Sequence, residues 1–353
     1  MEEQKDSLRL LDMMTQPVFC VKENTIVKAN AAAQQLFLME GQELAPLLLT
    51  GAEEYAAFRE GCLYLTLDIA GQPTEACVRK WEDMDIFDLN VQDQNVLHAM
   101  ALASRELRKP LSSAISNTAG LLSGQEDPEI RKQLAQLNQR LHQMLRILGN
   151  MSDAQSSAAL SHMETTEAEL FFRQIFEKAR TLLDNSGIAL NYQGLTECVY
   201  CLIDRAQTER AVLNILSNAA KFTPAGGRIT ASLTRRGRTL RLCVQDNGSG
   251  IAGEVMGSLF RRHLRQPGIE DGRFGLGLGI QLIQSCATSH GGTLLVCPGE
   301  NGGTCVTMTF AIRQSNASAL RSPVFSLDYT GGYDHALVEL AECLPDDLYD
   351  GSF

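Results

Sequence analysis

The sequence predicts a multidomain α+β protein, and three observations carry that expectation. Strand–turn–strand patterns that run into a helix occupy the first segment. A helical repeat with alternating spacings of four and three runs from Ile130 to Met151. Beyond it, helices and strands alternate around three polar and glycine clusters between Asn214 and Gly279. The boundaries that follow are 1–90, 91–155, 165–313 and 314–353.

In the first segment, Pro17 to Lys22 reads as a strand, Glu23 and Asn24 as a turn, and Thr25 to Ala29 as a second strand. Asn30 is placed to cap the helix that follows, and Cys62–Leu67 and Glu75–Val78 read as further strands. The pattern resembles the opening of a PAS sensor domain, which implies a small antiparallel sheet flanked by helices. Its two readings are a ligand sensor and a dimerisation module that binds no ligand. The absence of histidine before His98 excludes haem ligation through histidine there.

The second segment reads as a helical hairpin. Its return helix carries Ile130, Leu134, Leu137, Leu141, Met144, Leu148 and Met151, a coiled-coil seam. Asp127 and Pro128 supply an N-cap and a first-turn proline. The outgoing helix places Leu97, Ala101, Leu107, Leu111 and Ile115 on one side. Two such hairpins would pair into a four-helix bundle, so a homodimer is expected.

In the third segment, Ala168 to Asn185 reads as an amphipathic helix, and Asp204 caps a second helix that runs to Phe222. Strands are expected at 188–192, 198–203, 228–234, 239–245, 293–297 and 304–311. Helices on a mostly antiparallel sheet make an α/β sandwich, unlike a parallel dinucleotide-binding sheet. The spacing of Gly275, Gly277 and Gly279 is also wrong for a dinucleotide fingerprint.

Composition narrows the function classes. A chain of 353 residues is long enough for two to three domains. A net charge of -11 argues against general nucleic-acid binding, which needs a basic face. No apolar run reaches membrane-spanning length and no basic-then-apolar leader opens the sequence, so a cytoplasmic location is expected. The ten scattered cysteines suit a reducing compartment, and Cys198 and Cys201 read as strand thiols in preference to a metal or redox pair. From Gln314 the chain turns from a Ser/Asn/Ala linker into an acidic tail, with a short amphipathic stretch at Ala336, Leu337, Leu340 and Ala341. That tail reads as a solvated appendage, with docking on a partner or on the basic segment Phe260–Arg265 as the alternative.

The three clusters are Asn214–Lys221 (NILSNAAK), Asp246–Gly250 (DNGSG) and Gly275–Gly279 (GLGLG). They resemble the N, G1 and G2 boxes of the GHKL ATPases, and the Lys-Phe-Thr-Pro after the first box and His290-Gly-Gly resemble the histidine-kinase branch. Ser104–Leu111 (SRELRKPL) is similar to that family's acceptor box. The resemblance implies a Bergerat-type α/β sandwich that binds ATP with Mg²⁺. Within it, Asp246 accepts from the adenine amino group, and Gly248 and Gly250 make room for the base. Gly275, Leu276, Gly277, Leu278 and Gly279 lead phosphates to a helix N-terminus. Asn218 is implied as the Mg²⁺ ligand, Asn214 as the group that orients the attacking species, and Lys221 as a phosphate contact. A response regulator or a partner kinase is the implied partner.

Three departures qualify the implied activity. Arg273 and Phe274 stand where relatives carry Gly-Thr, at the hinge of the lid. More important, Arg105 occupies the phosphoacceptor position, and a guanidinium has no lone pair to act as nucleophile. Glu106, the general base in relatives, is kept, while Lys109 replaces the small polar residue that positions water. His98 lies seven residues before Arg105 and lacks a following acid. The expectation is a degenerate sensor histidine kinase that holds Mg-ATP and signals by conformation or contact. The alternative is an active kinase that transfers the γ-phosphate to another residue or in trans to a partner; a mechanical ATPase clamp fits the hairpin least.

Overall fold

The computed structural model describes residues 11–12, 14–89, 94–153, 162–250, 278–300, 302–313 and 332–350. The first strands are β1 (Val18–Lys22) and β2 (Thr25–Ala29), joined by a turn in which Glu23 and Asn24 adopt positive φ. Asn30 then opens helix α1 (Ala31–Gln35): its Oδ1 accepts from Ala33 N at 2.9 Å and from Val18 N at 3.1 Å. Its Nδ2 donates to the Gln16 carbonyl at 2.7 Å, so this fully buried amide is satisfied on both ends. Helix α2 (Ala52–Ala57) and strands β3 (Cys62–Ile69), β4 (Gln72–Trp81) and β5 (Met84–Leu89) complete an antiparallel order β2-β1-β5-β4-β3. Phe19 and Phe87 stack at 4.8 Å in its core.

Two long helices follow, α3 (Gln94–Ser123) and α4 (Pro128–Asp153). Asp127 Oδ1 accepts from Glu129 N at 2.9 Å and starts the second. The buried stripe of α3 includes Ala101, Ser104, Leu111, Ile115 and Leu122; that of α4 includes Ala135, Asn138, His142, Leu145 and Leu148. Part of the expected apolar surface is exposed in the single chain. Leu107 is 54% exposed, and Ile130, Leu137 and Met144 of the seam are 43%, 48% and 53% exposed. The apolar surface of α4 is wider than one seam, and the neighbours within the chain cover the flank beside it.

Strand β6 (Glu164–Glu167) pairs with β8 (Tyr200–Ile203) in a small second sheet. Helices α5 (Ala168–Asp184), α6 (Arg205–Phe222) and α7 (Leu278–Ser289) pack on a sheet made of β7 (Ala189–Gln193), β9 (Arg228–Arg236), β10 (Thr239–Asp246), β11 (Leu294–Pro298) and β12 (Thr304–Ala311). All neighbours in it are antiparallel except β7 and β9, which run parallel. Phe172, Phe176 and Leu183 of α5, Leu213 and Leu216 of α6, and Leu242, Met308 and Phe310 of the sheet share one core. Cys201 is buried there while Cys198 is exposed, and no group of three potential metal ligands occurs among the described residues.

The two larger sheets are one. Edge strand β11 pairs antiparallel with β3, Leu294 opposite Tyr64 and Val296 opposite Cys62, which gives a ten-stranded sheet. Gly61 permits the approach: its φ is +94°, and a Cβ there would lie 2.2 Å from the Val296 carbonyl oxygen. Gln284 of α7 donates to Glu75 of β4 at 2.9 Å across the same junction.

The tail also departs from expectation. Residues 332–350 fold onto the rest as helix α8 (His335–Glu339) and a 3-10 turn at Asp346–Tyr349. Asp334 caps α8, its Oδ1 accepting from Ala336 N at 2.9 Å. Ala336, Val338, Leu340, Ala341, Leu344, Leu348 and Tyr349 are buried, so the apolar positions outweigh the solvation of the acids between them. Among the described residues no helix is long and apolar enough to cross a membrane.

Candidate functional site

Helix α6 begins at a clear signal, Asp204 Oδ1 accepting from Gln207 N at 3.1 Å. The start is fixed further by His290, which follows α7: its Nε2 accepts from Asp204 N at 3.0 Å and its Nδ1 donates to the Cys286 carbonyl at 2.7 Å. Burial pushes the His290 pKa below its ordinary value, and both ring nitrogens are engaged in holding α7 to α6.

Along α6 the buried face carries Ala211, Leu213, Ile215 and Leu216, and it also carries Arg210, Asn214 and Ser217. Asn214 is fully buried. Asn218 and Lys221 are half-buried one and two turns on, and the Asn218 side chain makes no hydrogen bond with a described residue. Lys221 Nζ lies 3.2 Å from Glu342 Oε2.

Strand β10 delivers Asp246 as its last residue, and the turn after it is tied to the end of α6. Ser249 N donates to the Phe222 carbonyl at 3.2 Å, and Asn247 Oδ1 accepts from Arg228 N at 2.7 Å. Asp246 Oδ1 accepts from Gly248 N at 2.9 Å and Thr304 N at 3.2 Å. Burial raises the Asp246 pKa and these amides oppose the rise. The turn is glycine-built for a steric reason. A Cβ on Gly248 would stand 2.2 Å from the Phe222 carbonyl oxygen, and one on Gly303, at φ +74°, would stand 2.1 Å from the Asp246 carbonyl oxygen.

The first turn of α7 closes the third side, since a Cβ on Gly279 would lie 3.1 Å from Asn214 Oδ1. The N-terminus of α7 therefore faces Asn214, and Asp246 with Gly248 faces the far end of α6. Gly275, Leu276 and Gly277 lie outside the described residues, as do Phe260–Arg265, Arg273 and Phe274. Leu278 is the first residue of α7. Arg105, Glu106 and Lys109 are exposed on α3. Neither Arg105 nor Glu106 makes an ion pair or side-chain hydrogen bond with a described residue.

Sequence reasoning missed what covers Asn214. Its Nδ2 donates to the Arg210 carbonyl at 3.1 Å and to Glu339 Oε2 at 2.9 Å, and its Oδ1 accepts from Arg146 Nη2 at 3.3 Å. Glu339 is fully buried, with Arg210 Nε 3.0 Å from Oε1. Arg146 Nε stands 3.3 Å from Oε2, as an ion pair without an aligned hydrogen bond. The available signal was an arginine, Arg210, on the apolar face of α6, which demands a buried acid from elsewhere.

The residues present suit a nucleotide. Asp246 holds Oδ1 on two backbone amides and leaves Oδ2 without a described donor, beside glycines whose Cβ positions are filled by backbone. Asn218 offers a neutral oxygen of the kind Mg²⁺ accepts.

The chain is similar to known proteins over part of its length. Residues 203–314 match the family model described as histidine kinase-, DNA gyrase B-, and HSP90-like ATPase. The sensor histidine kinase YvrG of Bacillus subtilis is 27% identical over 213 residues, 59% of this chain and 37% of its own. The sensor-like histidine kinase SenX3 of Mycobacterium tuberculosis is 27% identical over 218 residues, 60% of this chain and 52% of its own. Thus the chain spans about half or less of these relatives' length. Among solved structures, full-length ShkA in complex with AMPPNP aligns at 21% identity and a TM-score of 0.49, covering 62% of this chain and 47% of that one.

Proposed function

Because the chain belongs to the sensor histidine kinase family, we propose that it binds Mg-ATP between α6, β10 and α7 and signals by conformation or partner contact, without phosphorylating itself at position 105. The observation that carries this reading is the Asp246 carboxylate. Two amides fix one oxygen, and the other is left to accept the exocyclic amine of adenine. Asn218 holds the metal, whose charge would offset that of the triphosphate, and Lys221 lies where it can reach a phosphate oxygen. Asn214 orients the group at the terminal phosphate, and the α7 N-terminus, with Gly275–Gly279, meets the phosphates with amides.

At the hairpin, Arg105 cannot receive the phosphoryl group, because the guanidinium stays protonated and has no free lone pair. Glu106 keeps a carboxylate beside it with no proton to remove from a nucleophile. The apolar residues left exposed on the helices, Leu107, Leu121, Ile130, Leu137, Met144 and Ile147, support pairing of two hairpins into a four-helix bundle and hence a homodimer. The antiparallel sheet of residues 18–89 with its short helices supports a PAS-like module. The partner in this reading is a response regulator or a second kinase, met in the cytoplasm.

Incubation with γ-labelled ATP, wild type beside Arg105→His, tests the reading. We expect no label on wild type and label on the histidine variant. Strong label on wild type alone, or on an added partner protein, would establish the active-kinase alternative instead.

A further inference from the structure

Residues 332–350 bridge the hairpin and the ATPase sandwich through contacts with four helices. On α4, Gln139 Nε2 donates to the carbonyls of Ala341 and Leu344 at 3.1 and 2.6 Å, Gln143 Nε2 to Ala341 at 2.9 Å, and Asn138 Nδ2 to Tyr349 at 2.9 Å. On α3, the Ser112 carbonyl accepts from Tyr333 Oη at 3.1 Å. On α5, Lys178 pairs with Asp334 at 2.8 Å, and on α6, Glu209 meets His335 at 3.0 Å. At the centre, Glu339 sits against Arg146 of the hairpin, Arg210 of the sandwich and Asn214 together, and Glu342 sits against Arg146 and Lys221.

Resting on the ATP reading above, we propose that this segment is an intramolecular latch that locks the sandwich to the hairpin and competes with the phosphate end of the nucleotide. Glu339 occupies Asn214, the polar group of α6 that faces the N-terminus of α7, and Glu342 occupies Lys221 two turns on. A bound triphosphate would bring like charge to the same place, and unlike charges there are already spent on Glu339 and Glu342. The base end is different: the hydrogen bonds and ion pairs of Asp246, Asn247 and Gly248 include none with the latch. Latch and nucleotide therefore conflict at the terminal phosphate, and ATP feels the conflict more than ADP. A latch closed about nine-tenths of the time reduces apparent affinity about tenfold, because only the open fraction is competent.

The acid is matched to the cleft in charge and in position. Two arginines from separate units converge on one fully buried carboxylate, which adds to the direct Arg210–Asn150 and Arg146–Asn214 hydrogen bonds and offsets the repulsion of the two guanidinium groups. When it leaves, Arg146 and Arg210 face each other without that carboxylate, which drives the sandwich away from the hairpin. Displacement of the latch then frees the ATPase half to move and opens its phosphate end in one event.

The test is calorimetric titration of Mg-ATP and Mg-ADP into the full chain, into Glu339→Gln, and into the double variant Gln139→Ala, Gln143→Ala. The double variant removes only hydrogen bonds from α4 to latch carbonyls and guards against misfolding of the first. Expected are about five- to tenfold tighter ATP binding in both variants, a smaller gain for ADP, and faster hydrogen exchange at residues 335–349. Unchanged ATP affinity despite faster exchange of the latch overturns the competition, and unchanged exchange in both variants overturns the latch. If none of the three proteins binds ATP, the nucleotide reading fails by itself. The latch is then decided by small-angle scattering: an increased radius in both variants upholds the lock, and an unchanged radius overturns it.

Discussion

At Asp246 the candidate site is made by backbone, with amides from Gly248 and Thr304 on one carboxylate oxygen and carbonyls filling the space where glycine side chains would be. At Asn214, on the helix α6 whose last residue, Phe222, meets the Asp246 turn, it is made by side chains of α4 and α8 that are distant in sequence. The first end is local, rigid and dependent on residue size. The second is assembled from charge and can be dismantled. A helix that joins the two gives one site a permanent half and a conditional half.

The largest expected effect tests the conditional half. Glu339→Ala leaves two buried arginines facing each other and should destabilise the chain by about 3–5 kcal/mol in urea unfolding. A loss under about 1 kcal/mol would mean that water already reaches the cluster. Next comes the permanent half: Gly248→Ala forces a methyl against the Phe222 carbonyl and should cost about 1–3 kcal/mol in thermal unfolding, with loss of nucleotide binding. If that variant is as stable as wild type, the turn is less rigid than the comparison requires. Asp246→Ala should weaken ATP about 10- to 100-fold while leaving the latch contacts intact, as read by unchanged exchange at 335–349.

The smallest effect is a pH dependence of latch stability. His142 is buried between the rings of Tyr333 and Tyr349, with Nδ1 donating to the Asn138 carbonyl at 2.8 Å, and burial pushes its pKa below the ordinary value. A depressed histidine favours the neutral form in the fold, so its contribution is complete above about pH 6.5 and is lost as pH falls through the folded value. Unfolding followed from pH 7.5 to 5.5 should show a slope of at most about 1.4 kcal/mol per unit from this group, flattened in His142→Gln. An unchanged slope in the variant would assign the effect elsewhere, His290 being the other histidine lowered by burial.

Sequence revealed the permanent half because its determinants are local. Asp204 announces the start of α6, the strand pattern of 239–245 ends one residue short of β10, and the glycines after Asp246 sit where backbone crowds them. Asn30 and Asp127 were legible as caps for the same reason. The conditional half was not, because no local rule links Arg146, Arg210 and Glu339 across the chain. The tail's seven acids suggested solvation, yet its apolar residues, spaced among them, had a surface waiting. Which apolar residues of the hairpin its own chain covers was not legible either, because a helix with a broad apolar arc does not reveal which flank, such as that of Leu107, is left exposed in the single chain.

The pairing of β3 with β11 has a consequence for how the molecule behaves when divided. Joined, the ten strands expose only β2 and β7 at their margins. Separated, the sandwich would present the bare donors and acceptors of Leu294–Pro298, a strand of mostly apolar residues without a single lysine to discourage a neighbour. A fragment beginning after the hairpin would therefore be prone to self-association through that margin. In the whole chain the N-terminal sheet covers that margin.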